Sequence, residues 1–425
     1  MSEYDQINNL EEQLREDRRL ALVRRRKRRL RWVIPLLLCA AAFCLLLILL
    51  INHDETKETE AIESEPPADA AVNLAFVGDI SLNEQMLQSF RSGSDYDFSP
   101  CFKRITAQLS SADYTVGNLE GNITDVSSAS NFCYPPSLLH DLYECGFDLL
   151  QTANTYSIQN GITGLEKTKQ EILKAGMDPL GTYVDSDEWN SCGGVFVKEI
   201  NGFRIAFLGF TKGVNNLRLP EGADHCVNLL YTDYDSNYSK IARTDIINTV
   251  ENAKLQQPDF IIAMVHWGSE YTQDIAQSQK DIAELMFDHG VNLIIGSHSH
   301  YVGPMELRSR TIDENGGNFI AYSLGDFLSV ADTTSALNGC ILNIRIEKHD
   351  SEITITNVTY TPTYTAVPSS FFGVSEYEIL DTLDAITFYE SGYYNRISST
   401  LYEKLKTAVA RMQDQTGNPQ FLVKK

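Results

Sequence analysis

The sequence predicts an α/β fold: a layered strand-and-helix domain preceded by one transmembrane helix. Three observations carry that reading. From about residue 72 onward, short runs rich in β-branched and aromatic residues alternate with helical stretches. Residues 32–51, WVIPLLLCAAAFCLLLILLI, are twenty residues without a charge, basic before and mainly acidic after. Finally, oxygen- and imidazole-bearing residues recur directly after the strand-like runs, where ligands bind in α/β sheets.

Taken in order, residues 1–31 form a basic segment ending in Arg24-Arg25-Arg26-Lys27-Arg28-Arg29-Leu30-Arg31. The apolar run 32–51 follows, long enough to cross roughly 30 Å of hydrocarbon at about 1.5 Å per residue. A cleaved leader would have a shorter apolar region close to a small-residue cleavage site, and Ala68–Ala71 lies too far downstream. A buried core helix rarely runs this long without a charge. The positive-inside bias places the N-terminus in the cytoplasm and everything after Ile51 outside, as a single-pass protein of the cell membrane. Residues 52–71 are acidic and carry Pro66-Pro67, which reads as an extended extracytoplasmic linker. The main domain is expected over residues 72–370, and a helical extension over 371–425.

Composition narrows the function. Hydrophobic residues at 43% and charged residues at 22% exclude a wholly disordered chain. The net charge is −22, and residues 1–32 hold ten Lys/Arg against six Asp/Glu, which leaves about −26 for the rest. So acidic a domain is not expected to bind nucleic acid, whose affinity comes largely from neutralised phosphates. It also repels any polyanion unless a metal ion or a local basic cluster reverses the field. Of eight cysteines, Cys39 and Cys44 fall in the apolar run. The other six permit disulfides in an oxidising compartment or small buried thiols; none has zinc-like spacing.

Strands are expected at Val72–Val77, Tyr114–Val116, Phe147–Thr152, Arg204–Phe210, Asp259–Val265, Val291–Ile295 and Phe319–Leu324. Several are apolar on both faces, as in a covered sheet. Helices are expected over 163–175, 240–256 and 274–288, with Gly176 and Gly290 as stops. Residues 340–365 alternate and read as an antiparallel pair, and 375–412 read as helical.

The strand ends hold Asp79, then Asn118-Leu119-Glu120, Asn154, His266-Trp267-Gly268-Ser269-Glu270-Tyr271, His298-Ser299-His300 and Asp326. Asp79, Glu120, Asn154, His266, His298 and His300 are candidate metal ligands. Their oxygen and imidazole donors, without thiolate, suit one or two divalent ions: Mn, Zn, Fe or Mg. A metal pair can activate water and clamp a phosphoryl group. Each piece has a bland alternative, a turn, a cap or a packed corner; the joint occurrence in this order carries the reading.

FVGDISL (76–82), VGNLEGNIT (116–124), NGITGLEKTKQEILKAGM (160–177), RIAFLGFT (204–211), VHWGSEYT (265–272), GVNLIIGSHSHYVGPME (290–306) and YSLGDFL (322–328) together resemble the CapA family. These are poly-γ-glutamate capsule biosynthesis proteins with a metallophosphoesterase-like fold. The resemblance implies a four-layer α/β sandwich and a role in making, exporting or anchoring an anionic surface polymer, with synthase or exporter subunits as partners. It also marks departures. Where that family usually has Ala-Asn-Asn-His and then an Asp, this chain has Ala153-Asn154-Thr155-Tyr156, and Gln159 at the Asp position. The usual Asn is Asp326, and His-Pro-His is His298-Ser299-His300.

Two functional expectations follow. The first is a metal-dependent hydrolase or transferase of the cell envelope. There Asn154 is a ligand or transition-state contact, and Tyr156 or Glu270 handles protons; a free Tyr, with a pKa of about 10, replaces imidazole poorly. The second is a catalytically impaired scaffold or polymer-binding subunit. A generic metal-dependent phosphoesterase unrelated to capsule is a further alternative.

Overall fold

The computed structural model describes residues 69–329, 337–368, 377–392 and 397–424. The predicted cytoplasmic segment, the membrane helix 32–51 and all but the end of the linker lie outside them. Among the described residues, no helix is long and apolar enough to cross a membrane.

Two sheets pack face to face. The nine-stranded sheet runs in the order Thr311–Ile312, Glu352–Ala366, Asn338–His349, Ala70–Ser81, Tyr114–Leu119, Leu149–Gln151, Asp178–Leu180. Asp326–Ser329 also pairs with Ala70–Ser81, and Glu378–Asp381 with Glu352–Ala366. The six-stranded sheet runs Met305–Leu307, Phe319–Ala321, Leu293–Ser297, Phe260–His266, Phe203–Thr211, Phe196–Ile200.

The period of two along each strand explains the layers. Val72, Leu74 and Phe76 of the first strand meet Ile205, Phe207, Ile262 and Met264 between the sheets. The alternate residues Ala75 and Val77 face outward, against Leu138 and Leu142 of the helix Pro136–Cys145 and Ile172 of Gly161–Ala175. On the far side, Ala206, Leu208, Ile261 and Ala263 meet Ile246, Val250, Ile282 and Met286 of the helices Arg243–Leu255 and Gln277–Asp288. The order is therefore helix, sheet, sheet, helix. Gly176 ends its helix at φ 94°, and Gly290 follows its helix at φ 103°, both in the left-handed region expected of such stops.

The C-terminal segment departs from the helical expectation. Glu378–Asp381 is a strand that pairs antiparallel with Glu352–Ala366, and helices follow at Thr382–Glu390 and Ser399–Thr416. Met412 and Phe421 enter the core between the sheets. The described residues from 69 to 424 form one compact unit, in which the extension after residue 370 packs onto the sheets. The reason is physical: Tyr377, Ile379 and Leu380 are buried and need the sheet edge and its helices to cover them. The first strand begins at Ala70, inside the predicted linker. All six described cysteines are free thiols, five of them buried.

Candidate functional site

Parallel register brings the strand ends together. In the nine-stranded sheet Asp79 is level with Asn118 on one side and Asp326 on the other. In the six-stranded sheet His266 is level with Thr211 and Ser297. The two sets of ends meet, and Gly78 and Gly296 let the backbone of the connecting segment 322–325 lie against a strand of each sheet. A Cβ on Gly78 would lie 1.8 Å from Gly325 O, and one on Gly296 2.0 Å from Tyr322 O. His298 and His300 follow in a turn with left-handed backbones, φ 91° and 60°.

Asp79 is at the centre. Asn118 Nδ2 donates to its Oδ1 (2.6 Å) and the His298 backbone N–H to its Oδ2 (3.0 Å). Its Oδ1 lies 3.8 Å from His266 Nδ1 and its Oδ2 4.0 Å from His300 Nδ1. His266 Nε2 lies 3.4 Å from Glu120 Oε1. Ser297 Oγ (2.9 Å from His266 Nδ1) and Thr155 Oγ1 (3.0 Å from His266 Nε2, 3.3 Å from His298 Nδ1) hold the two rings. The rings of His266 and His298 are 4.5 Å apart. His300 Nδ1 lies 2.8 Å from Asp326 Oδ1.

The remaining predicted residues divide. Asn154 is buried and its amide is engaged: Nδ2 donates to Leu119 O (2.6 Å) and Asn118 Oδ1 (3.2 Å), while Oδ1 accepts from Tyr156 N (3.0 Å). It braces Asn118 beneath Asp79. Tyr156 is half-buried and stacks on Phe132 at 3.7 Å between ring centroids; its hydroxyl makes no hydrogen bond with the described residues. Glu270 is exposed at the rim. Next to it Tyr271 stacks on His300 at 4.8 Å. Lys212, which donates to Gly268 O (2.6 Å), sets a cation beside the site.

Burial dominates the electrostatics. It pushes Asp79 up to about 6, helped by the Glu120 charge, and Glu120 up to about 7. It holds His266 down to about 4 and His298 well below the ordinary imidazole range. For His300 burial also pushes downward, but the Asp326 carboxylate against it, with Glu120 and Asp79, lifts it to about 11. Burial and then Glu120 push the Tyr156 phenol up, so it stays protonated at neutral pH.

Two groups of side chains bring ligand atoms within 4.8 Å of one another: Glu120, His266 and His298, and Asp79, His300 and Asp326. Both Glu120 oxygens, His298 Nε2 and Asp326 Oδ2 are buried without a hydrogen-bond partner among the described residues. Buried polar atoms are rarely left so, and four together at one spot fit a cation. The donors are carboxylate and imidazole, a set that suits a divalent ion.

Five of the six candidate ligands read from the sequence thus converge, and Asn154 supports them. Asn118, Thr155, Ser297 and Asp326 complete the site but were not among the candidate ligands or catalytic residues read from sequence. Asn118, Thr155 and Ser297 are chain neighbours of nominated residues. Asp326 carried a signal of its own, as an acid where the resembling family usually has an amide.

A family profile described as "Bacterial capsule synthesis protein PGA_cap" matches residues 73–331. The PGA biosynthesis protein CapA of Bacillus subtilis (strain 168) is 25% identical over 297 residues, covering 66% of this chain and 70% of that protein. The capsule biosynthesis protein CapA of Bacillus anthracis is 23% identical over 296 residues, 66% of each chain. Among solved structures, a calcineurin-like phosphoesterase from Bacillus subtilis is similar with a TM-score of 0.40 and 11% identity, over 81% of this chain and 97% of that one. The profile spans more than half of the sequence and every strand end that feeds the site, and on that match the chain belongs to the PGA_cap family of bacterial capsule synthesis proteins, with the CapA proteins as its relatives.

Proposed function

We propose that this chain is a membrane-anchored enzyme of surface-polymer biosynthesis, a metal-dependent hydrolase or transferase whose domain lies outside the cell on a single span at residues 32–51. The observation that carries the metal reading is the set of buried atoms on Glu120 and His298 that have no hydrogen-bond partner among the described residues and lie grouped with His266 within 4.8 Å. A divalent ion held by Glu120, His266 and His298 would supply a Lewis acid and a water acidic enough to ionise near neutrality.

The protein's own residues do the rest. Thr155 and Ser297 fix the His266 ring. Asn118 and the His298 backbone N–H fix Asp79. The Tyr156 phenol, at the mouth and protonated, donates a hydrogen bond to a leaving or developing oxygen. Lys212 offers a positive charge in an otherwise acidic chain, which favours an anionic polymer or its activated precursor. The family relatives named for PGA and capsule biosynthesis support a γ-glutamyl polymer as that anion.

One experiment tests anchoring and metal together. The full chain, expressed in a bacterial host, should leave the membrane fraction only with detergent. Purified, it should carry Mn, Zn, Fe or Mg in stoichiometric amount, and His298→Ala should lose it. A wild-type protein that stays metal-free after reconstitution with each ion would sink the metalloenzyme. The polymer-binding scaffold would then be the better account, consistent with Tyr156 at the position where the resembling family has His.

A further inference from the structure

We propose that Lys212 is the residue that makes this site select a carboxylate ligand. Its ammonium holds the free α-carboxylate of a γ-linked glutamyl unit, an assignment that rests on the γ-glutamyl reading above and adds to it the group that chooses the ligand.

Lys212 directly follows the strand Phe203–Thr211, whose last residue is level with His266. Its backbone N–H donates to His266 O (2.8 Å), so the side chain is rooted at the wall of the pocket. The ammonium is then held from two sides. Nζ donates to Gly268 O (2.6 Å) and lies 4.7 Å from the centre of the Tyr238 ring. Tyr238 stands on left-handed backbone (φ 51°), a costly conformation for an aromatic residue, and its hydroxyl donates to Asn216 Oδ1 (3.0 Å). Besides burial, the Lys212 charge helps to hold His266 and His298 low, so its field reaches the pocket.

What this ammonium lacks is an anion. Other partly buried cations of the chain are paired: Lys169 with Glu188 (2.7 Å), Lys198 with Asp178 (2.7 Å), Arg345 with Glu347 (2.6 Å) and Lys348 with Asp259 (3.0 Å). Lys212 is also partly buried and has no such partner among the described residues. Of the three N–H donors of a lysine, only the one on Gly268 O is taken there. Burial lowers the ammonium from its ordinary range, and Glu270 at the rim opposes this from beyond ion-pair distance. Leaving a desolvated cation unpaired is costly, and this chain has 57 Asp and Glu against 35 Lys and Arg to pair it with. The missing counterion is therefore a ligand's.

The surroundings favour a carboxylate over a phosphate. One ammonium is a point charge, without the forked donors that match a phosphate. Glu270 at the same rim repels a dianion more than a monoanion. In a γ-linked glutamyl chain, each unit keeps its α-carboxylate on the carbon next to the amide nitrogen. An amide carbonyl in the metal pocket thus brings a carboxylate toward a side chain rooted at His266.

The test is calorimetric binding to the full chain in detergent with Mn²⁺ present. The probes are a short γ-linked glutamate oligomer, the same oligomer with its α-carboxylates amidated, and inorganic phosphate. Lys212→Met should weaken the glutamate oligomer roughly 10- to 100-fold, the range for losing a hydrogen bond to a charged group. Lys212→Gln, which keeps a donor for Gly268 O, should weaken it as much, and Lys212→Arg should recover most of the loss. The amidated oligomer, phosphate and the Mn content should not distinguish wild type from Lys212→Met. On the wild type alone, the amidated oligomer should bind as weakly as the glutamate oligomer binds Lys212→Met.

Equal affinity for the glutamate oligomer in wild type and the neutral variants, or for both oligomers on the wild type, overturns Lys212 as the carboxylate contact and leaves the polymer reading standing. Phosphate weakened as much as the oligomer overturns the selectivity. A wild type that holds Mn²⁺ but binds neither oligomer overturns the γ-glutamyl reading, and this assignment with it, while the metal reading stands.

Discussion

His298 and His300 carry their imidazoles on left-handed backbone, and so do Tyr271 (φ 54°) and Phe132 (φ 58°), whose rings stack on His300 and Tyr156. Each such non-glycine residue costs on the order of 1–3 kcal/mol, and such strain collects at functional sites. Here it turns two imidazoles toward one pocket. Nearby, glycine does the opposite work by removing bulk. Gly78 precedes Asp79, and a methyl there would drive into the Gly325 carbonyl, a backbone atom that cannot swing away. Gly78→Ala should therefore lower stability by about 1–3 kcal/mol or more and weaken metal binding, because Asp79 and Asp326 would be pushed apart. Denaturant unfolding and metal content check both. A variant as stable as wild type would show that the strand ends are not in contact here.

At the scale of elements, the parallel strands point their carboxyl ends at one place and the outer helices seal their far faces. The C-terminal segment is part of this construction. Tyr377, Ile379, Met412 and Phe421 are all buried in the same cores as the sheets. At about 1.5–3 kcal/mol for each large buried side chain, they contribute on the order of 6–12 kcal/mol. That is comparable to the whole net stability of a typical domain, about 5–15 kcal/mol. A chain ended at residue 370 should fail to fold cooperatively, as a thermal melt followed by circular dichroism would show. A sharp transition near that of the full chain would mean that the extension is dispensable.

At the scale of the whole molecule, the buried acids set a pH dependence. Glu120 rises to about 7 when folded, from an ordinary value near 4.5, so the folded state holds more protons and stability is lost as pH climbs from about 4.5 to 7. His300, lifted to about 11, acts in the same direction: its contribution is complete below about 6.5 and declines above it. His266, held down to about 4, acts oppositely and costs stability as pH falls below 6.5. The metal-free protein should thus be most stable below pH 6.5 and lose melting temperature from there toward pH 8.5. Added Mn²⁺ should reverse that loss, with a gain that widens as pH rises, because the ion replaces protons on Asp79 and Glu120. A metal-free melting temperature that climbs from pH 6.5 to 8.5 would contradict these assignments.

Much of this protein could be read from its residues alone. The alternation of apolar runs marks the strands, Gly176 and Gly290 mark helix ends, and the ordered motifs from FVGDISL to YSLGDFL carry the family. These are local signals, a period of two or a residue type at a turn, and a few neighbours suffice to specify them. The tertiary structure alone decided which distant residues meet. Asp326 stands beside Asp79 only because two strands far apart in sequence pair in parallel at that register. Asn154 turns its amide onto Asn118 rather than into the cluster, and Tyr156 lies on Phe132, a residue outside every motif nominated as a site. The strand Glu378–Asp381 forms because an edge was open to receive it. Periodicity tells a residue which face it will occupy; register and packing, which depend on the whole chain, tell it who its partner will be.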